Sequence, residues 1–318
     1  MNFSLGCLWQ PCRDGARLLK VYGDTPCPVV PGQIEGLPVI EIGPYCFAEK
    51  EPQAGQFSLP DGMSKDALHC ICGNFVEEIT LPDSVTVLDS AAFYNCRSLR
   101  RLELGPKCES LGSDMFTNCR SLACLSLRCS PASPSGLKKL IGSISADISV
   151  EFIENRQTQA RLFFPEYFEY LDENTPAHIF NHSIEGEGYR YRQCFDGAVF
   201  HAAEYDAVFA QACVGEPAEK LCRIALERLR YPYALSEDAK EAYLSYLRSH
   251  TDTLVSPYIN TRDLDALRFI SRLDVLDHAA RAAAAEACGR VGFGAGAALF
   301  LSSGTAKRAA KQYSFDDL

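Results

Sequence analysis

The chain has 318 residues, 47% apolar and 23% charged, a globular composition with room for two domains of roughly 100–200 residues each. Its net charge of −10 argues against non-specific binding to nucleic acid or anionic membrane, since both are themselves negative. No stretch approaches the roughly 20 apolar residues that span a bilayer, and the longest candidate, residues 292–301, is rich in glycine and alanine.

The N-terminal residues lack the basic region and the apolar run of a secretory signal. Ser4-Leu5-Gly6-Cys7 looks like a lipoprotein box, but only six residues precede the cysteine. Eleven of the fifteen cysteines lie between residues 7 and 129. In a small secreted domain that density would mark a disulfide framework. Here the chain is long enough to bury a core, where free cysteine packs as a small hydrophobe. The expectation is a cytoplasmic protein with free thiols.

An internal repeat follows. Phe93-Tyr94-Asn95-Cys96-Arg97-Ser98-Leu99 matches Phe116-Thr117-Asn118-Cys119-Arg120-Ser121-Leu122, and Leu102 and Leu104 match Leu125 and Leu127, all at an offset of 23 residues. Ile42 and Phe47 precede Leu88 and Phe93 by 46 residues, leaving room between for one irregular coil with Leu59-Pro60-Asp61-Gly62 in its turn. Leu102 and Leu104 alternate with Arg101 and Glu103, so this short strand has an apolar inner and a polar outer face. One coil cannot bury its apolar face alone; stacked coils make a continuous core, which is a solenoid. Leu111, Phe116 and Leu122 should point inward, and the Asn95/Asn118 and Cys96/Cys119 pairs should stack as ladders.

These residues resemble the BspA-type leucine-rich repeat family over roughly residues 20–130. The resemblance is carried by residues 85–104 and 111–127, and by 30–47, where Gly36-Leu37-Pro38-Val39 resembles the turn before the family's first full coil. The position before each phenylalanine holds Cys46, Ala92 and Met115, so the family's usual alanine occurs once. The resemblance implies a leucine-rich-repeat fold. It leaves function open, because the family includes surface adhesins and proteins without an assigned role.

The proline- and serine-rich stretch at residues 130–136 marks a boundary or cap. A short helix at 137–141 and a strand at 148–152 are expected to cap the solenoid. From Gln159 the period reads as helical. A helix opens at Glu216-Pro217 and buries Leu221, Ile224, Ala225 and Leu229 before Pro232. Ser236 caps the next, whose stripe is Ala239, Tyr243, Tyr246 and Leu247. Another follows Thr261 with Leu264, Leu267, Phe269 and Ile270; an alanine-rich helix runs from Asp274 to Cys288, and a last one over 294–302. Residues 261–303 are similar in outline to one helical repeat of the ankyrin or armadillo kind, without an ankyrin signature. The predicted fold is a two-domain α+β chain: residues 1–154 a leucine-rich-repeat solenoid of 23-residue repeats with its cap, 155–304 an all-α repeat or bundle domain, and 305–318 a flexible tail.

Candidate chemistry is sparse. His69-Cys70-Ile71-Cys72 has zinc-like spacing but no second cysteine pair, so an irregular coil with two buried thiols is the simpler reading. No histidine stands where chain order would pair it with a cysteine nucleophile. Gly289, Gly292, Gly294 and Gly296 follow a helix rather than a strand and lack the dinucleotide order, which leaves close helix packing. Gly188-Tyr189-Arg190-Tyr191-Arg192 interleaves aromatics and arginines, read as packed tyrosines with solvated arginines. Glu77-Glu78 and Asp316-Asp317 read as solvated surface.

The reading that results is a non-catalytic protein-binding scaffold or adaptor without a cofactor or metal. Its contact face would be the outward residues beside the core leucines: Glu78, Thr80, Arg101, Glu103, Ser126 and Arg128. Two alternatives stand beside it: a surface adhesin, or an enzyme with a site near His178, His182 or His201.

Overall fold

A computed structural model describes residues 5–59, 68–174 and 179–306, with side chains omitted at 172–181 and 303–306. Residues 60–62 of the predicted turn, His178, and 307–318 of the predicted tail lie outside the described residues. The chain divides into two compact units, Met1–Val208 and Phe209–Leu318.

The first unit opens with an antiparallel hairpin, β1 (Gly6–Cys12) and β2 (Gly15–Gly23), whose role was not read from the sequence. A second hairpin, β3 (Gln33–Ile34) and β4 (Leu37–Ile42), turns on Glu35 and Gly36, both in the left-handed region at φ 49° and 79°. That pair of conformations suits the right-handed twist of the flanking strands. The chain then leaves the stack as β5 (Gln56–Ser58), which pairs with β1, and β6 (His69–Cys70), which pairs with β2.

The coils proper carry β7 (Glu78–Thr80), β8 (Val87–Leu88), β9 (Arg101–Leu104), β10 (Ser110–Leu111) and β11 (Cys124–Leu127). One wall is parallel β7-β9-β11, in which Ile79, Leu102 and Leu125 stand in register. A second wall is parallel β4-β8-β10, with Ile42, Leu88 and Leu111 in register. The turn side has its own ladder: Phe47 N–H donates to Ala92 (2.8 Å), Phe93 to Met115 (3.1 Å) and Asn95 to Thr117 (3.0 Å). Leucine-rich strands at a fixed offset thus satisfy their backbone groups between coils and bury their alternate side chains between walls.

The ladders expected from the repeat are present. Phe93 stacks on Phe47 and on Phe116, each with centroids 5.5 Å apart. Asn118 Nδ2 donates to Asn95 Oδ1 at 2.8 Å, and both asparagines sit at φ near 60°, the conformation asparagine tolerates best after glycine. The Cys96 and Cys119 thiols donate to the carbonyls of Phe47 and Phe93, at 3.2 and 3.0 Å. One expectation is corrected here. Phe47 stacks directly on Phe93 and β4 pairs directly with β8, so the described residues of 48–75 form no coil between them and instead supply β5 and β6.

The cap follows as expected: α1 (Leu137–Gly142) and β12 (Ile148–Glu154), which extends the first wall parallel to β11. The helical onset at 155 is corrected. β13 (Gln157–Phe164) pairs antiparallel with β12, and β14 (Phe168–Asn174) and β15 (Ile179–Glu185) form a further hairpin. Ala160 and Leu162 are buried and alternate with the more open Gln159 and Arg161, a period of two that fits a strand. After α2 (Gly188–Tyr191) comes a small pair, β16 (Phe195–Asp196) and β17 (Val199–Phe200), and sustained helix begins only at α3 (Ala202–Gly215).

The second unit contains α4 (Ala218–Arg230), α5 (Glu237–Ser249), α6 (Thr251–Asn260), α7 (Leu264–Arg272), α8 (His278–Arg290) and α9 (Gly294–Ala306). The sequence reading passed over α6, which holds Pro257 inside it. Side chains of Ser236, Asp263 and Asp277 accept from the N–H three residues on, closing the starts of α5, α7 and α8. α6 packs on α4 and α8, and α7 on α9. The α6–α7 and α8–α9 turns are alike at an offset of 30 residues: Arg262 and Gly292 are left-handed, while Asp263 N–H donates to Tyr258 and Phe293 N–H to Cys288.

Candidate functional site

The outer side of the first wall carries the expected contact residues, and its register sets them in rows. Glu78, Arg101 and Cys124 align across β7, β9 and β11, and so do Thr80, Glu103 and Ser126; Arg128 follows just beyond β11. Strand neighbours about 4.8 Å apart place each charge within reach of the next.

The charges join into one chain. Asp83 meets Arg128 Nε at 2.8 Å, and Arg128 Nη1 meets Glu103 at 2.8 Å. Glu103 lies 3.9 Å from Arg101 Nη2, which meets Glu151 of β12 at 2.8 Å; Glu151 in turn meets Arg161 Nε of β13 at 3.3 Å. Three arginines alternate with three carboxylates, so the formal charge of the chain sums to zero. Arg128 also donates to the Leu81 carbonyl, which fixes its direction.

Ser126 is fully buried and donates to Glu151 at 3.2 Å; it supports the row from beneath instead of presenting a contact. Arg101, Glu103 and Arg128 are half-buried, each already paired. Glu78 and Thr80 are half-buried as well, and the Glu78 carboxylate makes no ion pair among the described residues. Sequence reasoning missed Asp83, Glu151 and Arg161. The signal for Glu151 was available, since β12 continues the rows by setting Glu151 beside Ser126.

The other candidates are placed as follows. His182 is 3.4 Å from Glu169 on the exposed β14–β15 hairpin, and His201 Nδ1 accepts the Glu204 N–H at the start of α3. Tyr191 is buried as expected, whereas Tyr189 is exposed, and the solvated reading of Arg192 is corrected: the residue is 2% exposed and its guanidinium is caged by carbonyls. It donates to Ile141 (3.1 Å), Ile144 (3.0 Å), Gly188 (2.9 Å), Ala146 (2.8 Å) and Pro165. Burial pushes its pKa down to about 10, so the cation persists at neutral pH. Of the glycine run, Gly296 is a packing residue, because a β-carbon there would lie 2.8 Å from the Cys288 sulfur. Among the described residues, no group of three His, Cys, Asp or Glu side chains could hold a metal, and no helix is long and apolar enough to cross a membrane.

Residues 36–133 match the family of BspA type leucine rich repeat regions, in six copies. This segment is a BspA-type leucine-rich repeat region. No curated protein and no solved structure matches the chain. The charge chain therefore lies on the sheet wall of a BspA-type repeat region, with β12 and β13 extending it past the last matched residue.

Proposed function

We propose that the chain is a non-catalytic cytoplasmic scaffold or adaptor that binds a protein partner along the outer face of β7, β9 and β11. The observation that carries this reading is the charge chain from Asp83 to Arg161. Ion pairs near solvent are worth only about 0–1 kcal/mol each, and these half-buried ones also give up part of their hydration, so their value to stability is small. Their value to recognition is larger. Side chains already held at strand spacing lose little freedom on binding, and an alternating pattern rejects partners of the wrong charge order. Glu78 and Thr80 complete the rows on the side where the chain of ion pairs stops. The BspA-type repeats support the same reading through their architecture, as do the free thiols, which suit a reducing compartment.

The test uses the full-length chain as bait in native lysate, with mass spectrometry as the readout. A stoichiometric protein should be retained, and a Glu78→Lys/Thr80→Lys variant should lose it without change in thermal stability. Retention by the variant overturns the assignment of the face. Failure of the unaltered chain to retain any protein overturns the adaptor reading.

The family match also favours a surface adhesin, the second reading. Surface labelling of intact cells separates the two: labelled native chain supports the adhesin, and its confinement to the cytosolic fraction supports the adaptor.

A further inference from the structure

Where the chain leaves the stack after Phe47, it lines a cleft of about 400 Å³ with Lys20, Glu49, Lys50, Glu51, Cys70 and Cys72. Lys20, on β2, is 2% exposed. Its ammonium donates to the carbonyls of Tyr45 (2.8 Å) and Ala48, and it meets no carboxylate among the described residues. A buried cation without a counter-ion is costly, and an anion in the cleft would offset that cost.

Cys70 and Cys72 are two residues apart on extended backbone, so their side chains share a face, while Ile71 between them is fully buried. The segment is pinned on both sides: Ile71 N–H donates to Val21 (2.9 Å) and Gly73 N–H to Phe47 (2.8 Å). Gly73 is left-handed at φ +57°, and any β-carbon there would collide with the Glu49 carboxylate. The two thiols are half-buried and line the cleft, whereas Cys46 and Cys96 behind them are fully buried.

The groups facing Cys72 are Cys70 on β6, Lys20 on β2, Glu49 beside Gly73, and Cys96 of the next coil. Tyr22, Lys50 and Glu51 complete the titratable lining of the cleft. The adjacent Cys70 thiol lowers the pKa of Cys72; Lys20 helps, while burial and Glu49 oppose. Each of the other fourteen thiols is pushed up.

We propose that Cys72 and Cys70 form a dithiol site oxidised by hydrogen peroxide, with Cys72 the attacking sulfur, Cys70 the resolving thiol and Lys20 the buried cation facing them. The Cys72 thiolate attacks one peroxide oxygen; an S–O bond forms, the O–O bond breaks, and hydroxide leaves. Cys72 is then a sulfenic acid. The Cys70 sulfur attacks it, gives up its proton, and forms an S–S bond as the S–O bond breaks and water leaves. Both sulfurs are oxidised by one peroxide, which is reduced to two molecules of water after the hydroxide takes up a proton.

The test is carried out on the full-length native chain at pH 7. A short iodoacetamide pulse should label Cys72 about fivefold faster than the exposed Cys27 and Cys213, a ratio that weighs thiolate fraction against lower intrinsic nucleophilicity. Graded peroxide should then remove two hydrogens, and both alkylation sites, from the peptide holding Cys70 and Cys72 before Cys27 or Cys213 changes. In Cys70→Ala the pH midpoint of Cys72 labelling should rise by more than one unit. Cys70→Ser, which keeps a hydrogen-bond donor, should restore the midpoint but close no disulfide. Unchanged Trp9 emission reports that both variants fold. Equal labelling of Cys72, Cys27 and Cys213 overturns the proposal, as does a midpoint unmoved in Cys70→Ala or peroxide oxidation of Cys72 that leaves Cys70 free.

Discussion

Phe93→Ala removes the centre of the aromatic ladder. Phe93 is fully buried and stacked on both sides, by Phe47 and Phe116, with interplanar angles of 12° and 6°. A buried phenylalanine truncated to alanine costs about 3–5 kcal/mol, from lost transfer energy and the cavity left behind. Two aromatic neighbours at about 0.5–1.5 kcal/mol each set Phe93 at the upper end, at about 4–5 kcal/mol. Phe116 is half-buried and, among the described residues, stacks on Phe93 alone, so Phe116→Ala should cost only about 2–3 kcal/mol. The assay is urea unfolding followed by tryptophan emission. Trp9 is the only tryptophan; it is 3% exposed on β1 and donates to Ser58 Oγ at 2.9 Å, so it reports on the first unit. For a unit of this size, about 4 kcal/mol corresponds to a fall in melting temperature of about 8–16 °C. A Phe93→Ala cost below about 2 kcal/mol, or one no larger than that of Phe116→Ala, would refute the stacked-coil account.

Arg192→Leu should destabilise the first unit by at least about 3 kcal/mol in the same assay, because five carbonyls lose their donor at a buried site. Arg192→Lys should not rescue it, since an ammonium cannot span that cage. Asp277→Ala should cost about 1 kcal/mol in thermal unfolding followed by helical circular dichroism, through loss of the cap on α8. Gly289→Ala, with nothing within 4 Å of the added carbon, should raise that transition by up to about 1 kcal/mol, whereas Gly296→Val should lower it by driving side-chain atoms into Cys288.

The solenoid was legible because its physics repeats. A 23-residue offset that returns Phe, Asn, Cys and paired leucines can be satisfied only by stacking, and the Phe47–Phe93–Phe116 and Asn95–Asn118 ladders follow from it. The same counting misled between Phe47 and Phe93. An interval of 46 residues equals two coils in length, yet length carries no record that β5 and β6 pair with the N-terminal hairpin. Residues 157–164 alternate as a strand does, but Gln157, Thr158 and Gln159 blunt the pattern at its start. The outward residues of the contact face were legible as alternation. Their pairing was not, because Arg128 reaches two carboxylates 45 and 25 residues away that only register brings near. Ser126 shows the limit of alternation: it faces outward and is still covered by Glu151.

The outer face of β7, β9 and β11 is the proposed working surface of the repeat region. Carboxyl footprinting of the full-length chain, alone and with its captured partner, tests that most directly. Glu78, Asp83 and Glu103 should label in the free chain and lose most of their labelling in the complex, while the exposed Glu237 and Glu286 of the second unit stay unchanged. Protection of Glu237 and Glu286 with Glu78 and Asp83 still labelled would contradict it.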